Sequence, residues 1–161
     1  MKMLKNTSRL FLALAVAALP LAAISAEDKK IDDALMEPVK SVLDHYLKIQ
    51  ELLTKDSTKG VDEHAAAISK AVKGDEMKML SPGVAKQADT LAQAKDLKAA
   101  RDAFNPLSAS LVKYLADHKA GQGTYHEAYC PMVKASWLQT GKAIRNPYMG
   151  KQMLSCGELR N

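Results

Sequence analysis

Long apolar runs are scarce in this 161-residue chain, and that scarcity organises its reading. Only Leu10 to Leu21 forms one, interrupted by Pro20. A bilayer crossing takes roughly 20 apolar residues, so this run is short for a span, and nothing later in the chain qualifies. Charge of one sign is also lacking once the N-terminus is set aside. Lys2, Lys5 and Arg9 are the basic residues of positions 1–26, which hold no acidic residue; the remainder carries 20 basic against 18 acidic, a net of +2. A balance that close gives no basis for nucleic-acid binding. Cysteine is limited to Cys130 and Cys156, with no Cys-x-x-Cys pair and no Cys-x-x-Cys-His haem motif. A Gly-rich phosphate loop, His-Glu-x-x-His and a nucleophile elbow are missing as well. These gaps exclude the commonest readable enzyme classes. Cys130 with His126 four residues earlier could be drawn as nucleophile and base, but that spacing is weak support for catalysis, and we expect no enzyme.

What is present begins with the N-terminus. A basic stretch, an apolar run, small residues ending at Ala26 and then Glu27-Asp28-Lys29-Lys30 follow the order of a secretory signal peptide. The expected boundaries are a signal peptide over 1–26, a helical bundle over 27–120 and a Cys/Met-containing segment over 121–161 packed on it as one domain. The location expected is periplasmic, with no membrane span after cleavage. The 135 residues left are enough for one core.

Apolar spacing predicts the fold class: mainly α, an antiparallel bundle of about four helices. Leu35, Met36, Val39, Val42, Tyr46, Ile49 and Leu53 advance by threes and fours, starting near Pro38. Val61, Ala65, Ile68 and Val72 mark a second helix, with Asp62 and Glu63 in its first turn and Gly74 at its end. A third is expected from Val84 to about Ala94. A fourth is expected from Asp96 to His118, with a kink or break near Asn105 imposed by Pro106.

Beyond Ala120 the composition shifts to Gly and Pro, and Tyr125, Tyr129, Trp137 and Tyr148 concentrate there. A loop-rich segment is expected, with only Val133 to Thr140 suited to a short helix. A loop this long inside a small domain needs a staple or has a function. Both cysteines and three of the six methionines after residue 26 lie in it. Cys130 and Met132 are two apart; Met153 and Cys156 are three apart. Thiolate and thioether are soft donors that suit Cu(I), and His126 could add a nitrogen. The alternative for Cys130 and Cys156 is a disulfide, the default outside the cytoplasm, worth roughly 3 kcal/mol for a loop of about 25 residues. Met132, Met149, Met153 and His126 would then remain as a possible thioether and imidazole set. His118 suits a helix C-terminus, and His45 and His64 read as ordinary helical histidines. Trp137 and Tyr148 read as packing residues.

The stretch Tyr129-Cys130-Pro131-Met132, then Trp137-Leu138, Asn146-Pro147-Tyr148 and Met153-Leu154-Ser155-Cys156-Gly157 resembles an uncharacterised bacterial domain family of unknown function. Leu97 to Ser108, including Arg101 and Phe104, resembles it more loosely. Members of that family occur as small exported proteins and as extensions of periplasmic adaptor subunits of heavy-metal efflux pumps. The resemblance implies a helical domain associated with copper or related metals, with Cys130, Met132, Met153 and Cys156 as the matching positions. Met149 falls where many relatives carry an aromatic residue, and His126 is shared by only some. The function expected is a periplasmic metal-binding or metal-resistance accessory that buffers Cu(I) or delivers it to efflux components. The alternative is a disulfide-stapled envelope interaction module with no metal.

Overall fold

The computed structural model describes residues 35–160. The expected signal peptide, residues 1–26, lies outside them. Four helices come first: α1 (Val39–Thr54), α2 (Val61–Lys73), α3 (Pro82–Ala92) and α4 (Leu97–His118). A three-stranded antiparallel sheet follows, built from β1 (His126–Cys130), β2 (Ala135–Gln139) and β3 (Glu158–Arg160) in the order β2-β1-β3. The fold is mainly α with bundle-like helix packing. Among the described residues no helix is long and apolar enough to cross a membrane.

The helices stand where apolar spacing puts them. Val39, Val42, Tyr46, Ile49 and Leu53 of α1 are buried, as are Val61, Ala65, Ile68 and Val72 of α2. Met36 departs from the expected seam: it precedes α1 and is 49% exposed. Short polar devices start the later helices. Ser81 Oγ accepts from the Gly83 N–H ahead of α3, with Pro82 at the first position. Asp96 Oδ1 accepts from the Ala99 N–H ahead of α4 at 2.8 Å.

Pro106 neither breaks α4 nor ends it. Proline takes away one N–H and crowds the carbonyl four residues back, here that of Asp102. Pro106 and Asp102 both lie on the exposed face, so water can reach that carbonyl while Phe104 and Leu107 stay fully buried.

Each helix packs chiefly on the next, and α1 meets α4 only lightly. The gap is closed by β2, which packs on α4 and touches α1. The tail is loop-rich as expected, but the short helix expected over Val133–Thr140 is corrected here: Ala135–Gln139 is a strand. Among the described residues its outer edge has no strand partner, and open edges need cover. Side chains supply it. The Leu138 N–H donates to Tyr46 Oη at 3.0 Å, and the Ser136 carbonyl accepts from Ser108 Oγ and Tyr148 Oη, each at 2.9 Å. Tyr46 Oη and Ser108 Oγ are themselves 2.5 Å apart. Helices α1 and α4 thus grip the sheet through hydroxyl groups inside an otherwise apolar core. Phe104 stacks on Tyr46 at 4.9 Å between centroids, and Trp137 is fully buried beside Tyr148. Full burial of such side chains stabilises by about 1.5–3 kcal/mol each.

Candidate functional site

The site is assembled by three pieces of the tail. The β1–β2 hairpin supplies Cys130 at the end of β1, followed by the turn Pro131–Lys134. The loop from Asn146 through a 3-10 turn (Gly150–Gln152) carries Met149 and Met153. Cys156 then precedes β3.

Two sulfurs that are 26 residues apart meet: Cys130 Sγ and Cys156 Sγ are 3.2 Å apart, and both thiols are free. Cys130 is fully buried, Cys156 half-buried. The two differ chemically. Burial pushes the Cys130 thiol up, but the Val133 N–H, the Cys156 thiol, the Met132 N–H and the Asn146 side chain more than offset it, so Cys130 lies below the ordinary thiol range. Cys156 is pushed up, first because its proton is held by Cys130 and then by burial. The pair therefore titrates as a unit: either thiol can donate while both are protonated, and Cys130 is the sulfur favoured to ionise first and then accept from Cys156.

Asn146 builds this arrangement, and its role was not read from the sequence. It is fully buried. Its Nδ2 donates to the Cys156 carbonyl at 2.7 Å, while Oδ1 accepts from the N–H groups of Tyr148 and Met149 at 2.8 and 3.0 Å. Its backbone N–H donates to the Leu154 carbonyl at 2.8 Å. Asn-Pro-Tyr reads as a turn signal, which was the one hint available. Gly157 supplies the close approach: its φ is +138°, and a Cβ there would stand 2.8 Å from the Tyr129 carbonyl and 2.9 Å from the Trp137 ring.

Arg101 anchors the loop from outside. Its Nε donates to the Pro147 carbonyl at 2.8 Å, and its Nη2 donates to the Leu53 carbonyl at 3.1 Å and to Asp56 Oδ1 at 2.6 Å. The Arg101 hydrogen bond holds the Asp56 carboxyl below its ordinary value. A shallow cleft of about 490 Å³ opens beside it, lined by Lys98, Asp102, Asn105 and Val133 among others.

The expected ligand set is brought together in part. Met132 lies in the turn whose N–H groups meet Cys130 Sγ, and its side chain is 61% exposed. Met153 is 39% exposed, and its carbonyl accepts from the Cys156 N–H at 3.0 Å. Both thioethers are thus outside the apolar core, on turns adjoining the two thiols. Met149 is partly buried against the core and reads as packing. His126 begins β1, paired with Gln139, and a rise of about 3.3 Å per residue carries it about 13 Å along the strand from Cys130. It does not join the sulfurs. Among the described residues no group of three or more His, Cys, Asp or Glu side chains converges as a metal site.

A family model described as a protein of unknown function (DUF3347) matches residues 42–123, which runs from the first turn of α1 to just beyond α4 and stops short of the sheet. No curated protein and no solved structure matches the chain.

Proposed function

The chain belongs to that family, and we propose that it is an exported metal-binding accessory whose tail holds a soft monovalent ion, Cu(I), between Cys130 and Cys156. The observation that carries this reading is the 3.2 Å approach of two free sulfurs from distant stretches of chain. Thiolates select soft ions such as Cu(I). Taking a metal–sulfur bond of about 2.3 Å, two sulfurs in a tetrahedral shell lie about 3.8 Å apart, so an opening of roughly half an ångström admits the ion. Cys156, half-buried between turns, is the sulfur free to make that adjustment. Its proton leaves as the ion binds, since ligating sulfur must be deprotonated. Cys130, already below the ordinary thiol range, gives up its proton more easily. Exposed Met132 and Met153 are available as further soft donors. Export rests on the order of residues 1–30, and delivery to an efflux component is the use proposed for the bound ion.

The same 3.2 Å favours a second reading, a disulfide that pins the tail to the helices with no metal. A disulfide needs the sulfurs at about 2.05 Å. Intact mass under non-reducing conditions separates the two: a chain isolated about 2 Da light is oxidised. For the metal reading, Cu(I) competition against a chromophoric chelator is measured on the reduced protein. One equivalent should bind, and Cys130→Ser or Cys156→Ser should weaken it at least tenfold. Equal affinity in wild type and both variants would remove the proposal.

A further inference from the structure

The thiol site makes no use of two imidazoles that meet elsewhere, at the packing of α1 on α2. His45 lies in the middle of α1 and His64 in the first turns of α2; both are half-buried. Their Nδ1 atoms are 3.0 Å apart, with ring centroids 5.2 Å apart and planes inclined by 43°. The residues a turn away on each helix, Val42 and Ile49 on α1 and Ile68 on α2, are fully buried, so the helices that carry the rings are held by the core.

One hydrogen can bridge two such nitrogens, donated by one ring and accepted by the other; two cannot, because two N–H groups would then face each other. Both nitrogens therefore aim at a single shared position. A cation with open coordination sites can replace the proton, seated to one side of the line joining the nitrogens. With metal–nitrogen bonds of about 2.0–2.1 Å, two nitrogens set at a right angle stand about 2.9 Å apart, and at the tetrahedral angle about 3.3 Å. The observed separation is nearer the right-angle value. Tetragonal coordination by nitrogen and oxygen is the preference of Cu(II) and Ni(II), whereas zinc prefers a tetrahedron.

We propose that His45 and His64 form a bidentate site for a divalent tetragonal ion, Cu(II) or Ni(II), with water in the remaining positions. The site bridges α1 and α2, uses borderline nitrogen donors where the tail uses soft sulfur, and stands independently of the Cu(I) reading.

The test uses the protein without a polyhistidine tag. Wild type is titrated with Ni²⁺, which does not oxidise thiols, while the imidazole NMR resonances are followed. One equivalent should broaden the rings of His45 and His64 together and spare His118 and His126. In a Cys130→Ser/Cys156→Ser background, Cu²⁺ should give an electron paramagnetic resonance spectrum with nitrogen hyperfine structure. His45→Gln or His64→Gln in that background should weaken binding at least tenfold. Broadening of all four histidines alike, sparing of either His45 or His64, or unchanged affinity in both glutamine variants would overturn the site. The wild-type NMR arm decides the matter even where the serine background folds poorly.

Discussion

Replacing Asn146 with alanine tests how the two sulfurs are held together. The side chain makes three hydrogen bonds to the main chain, one donated to Cys156 and two accepted from Tyr148 and Met149. Tyr148 is buried, and leaving its N–H unpaired costs about 1–3 kcal/mol. Met149 and Cys156 are only partly buried, so water can replace the lost partner there, and each adds about 0.5–1.5 kcal/mol. Together the expected loss is about 2–6 kcal/mol, a large fraction of the 5–15 kcal/mol typical of a domain. The same variant removes a hydrogen bond that helps hold Cys130 below the ordinary thiol range, so its titration should move upward. Urea unfolding gives the first quantity and thiolate absorbance near 240 nm, followed against pH, gives the second. A loss below about 1 kcal/mol with an unmoved thiolate titration would refute the claim that Asn146 organises the pair.

Tyr46→Phe leaves the Leu138 N–H unpaired on the covered edge of β2, and urea unfolding should show a loss of about 1–3 kcal/mol. Gly157→Ala cannot keep φ +138° without strain and meets the Tyr129 carbonyl, so it should lower Tm and slow disulfide formation between Cys130 and Cys156 in an oxidation time course. Arg101→Met should destabilise at neutral pH by releasing the Pro147 and Leu53 carbonyls and Asp56. Because folding depresses Asp56, its part of that difference is present above the ordinary carboxylate range and fades as pH falls through the depressed value, so wild type and variant Tm curves should converge in acid. Cys156→Ala removes the thiol that donates to Cys130, and the low-pH step of the 240 nm titration should shift upward.

The helices were legible because each buries one stripe at helical spacing: Val61, Ala65, Ile68 and Val72 could belong to little else. The strands were not. β2 buries Trp137, Leu138 and Gln139 in succession, because its edge and faces are covered from several sides, and that erases the alternation that marks a strand. The break allowed for at Pro106 does not occur, because the cost of a helical proline depends on whether water can reach the orphaned carbonyl, and only the folded chain shows Asp102 on the exposed face. The thiol pair was legible as residue types; its geometry was not, since it depends on Asn146 and Gly157 bringing the segment that leads into β3 back onto the hairpin. His126 looked close to Cys130 in sequence, and strand geometry separates them. His45 and His64, 19 residues apart, looked ordinary because their meeting is a product of helix packing.

The most direct test of the central claim is X-ray absorption at the copper edge on reduced protein loaded with one equivalent of Cu(I). Scattering from sulfur alone in the nearest shell, reduced in Cys130→Ser/Cys156→Ser, is the expected result. A shell of nitrogen or oxygen, or one unchanged by the loss of both cysteines, would contradict the account.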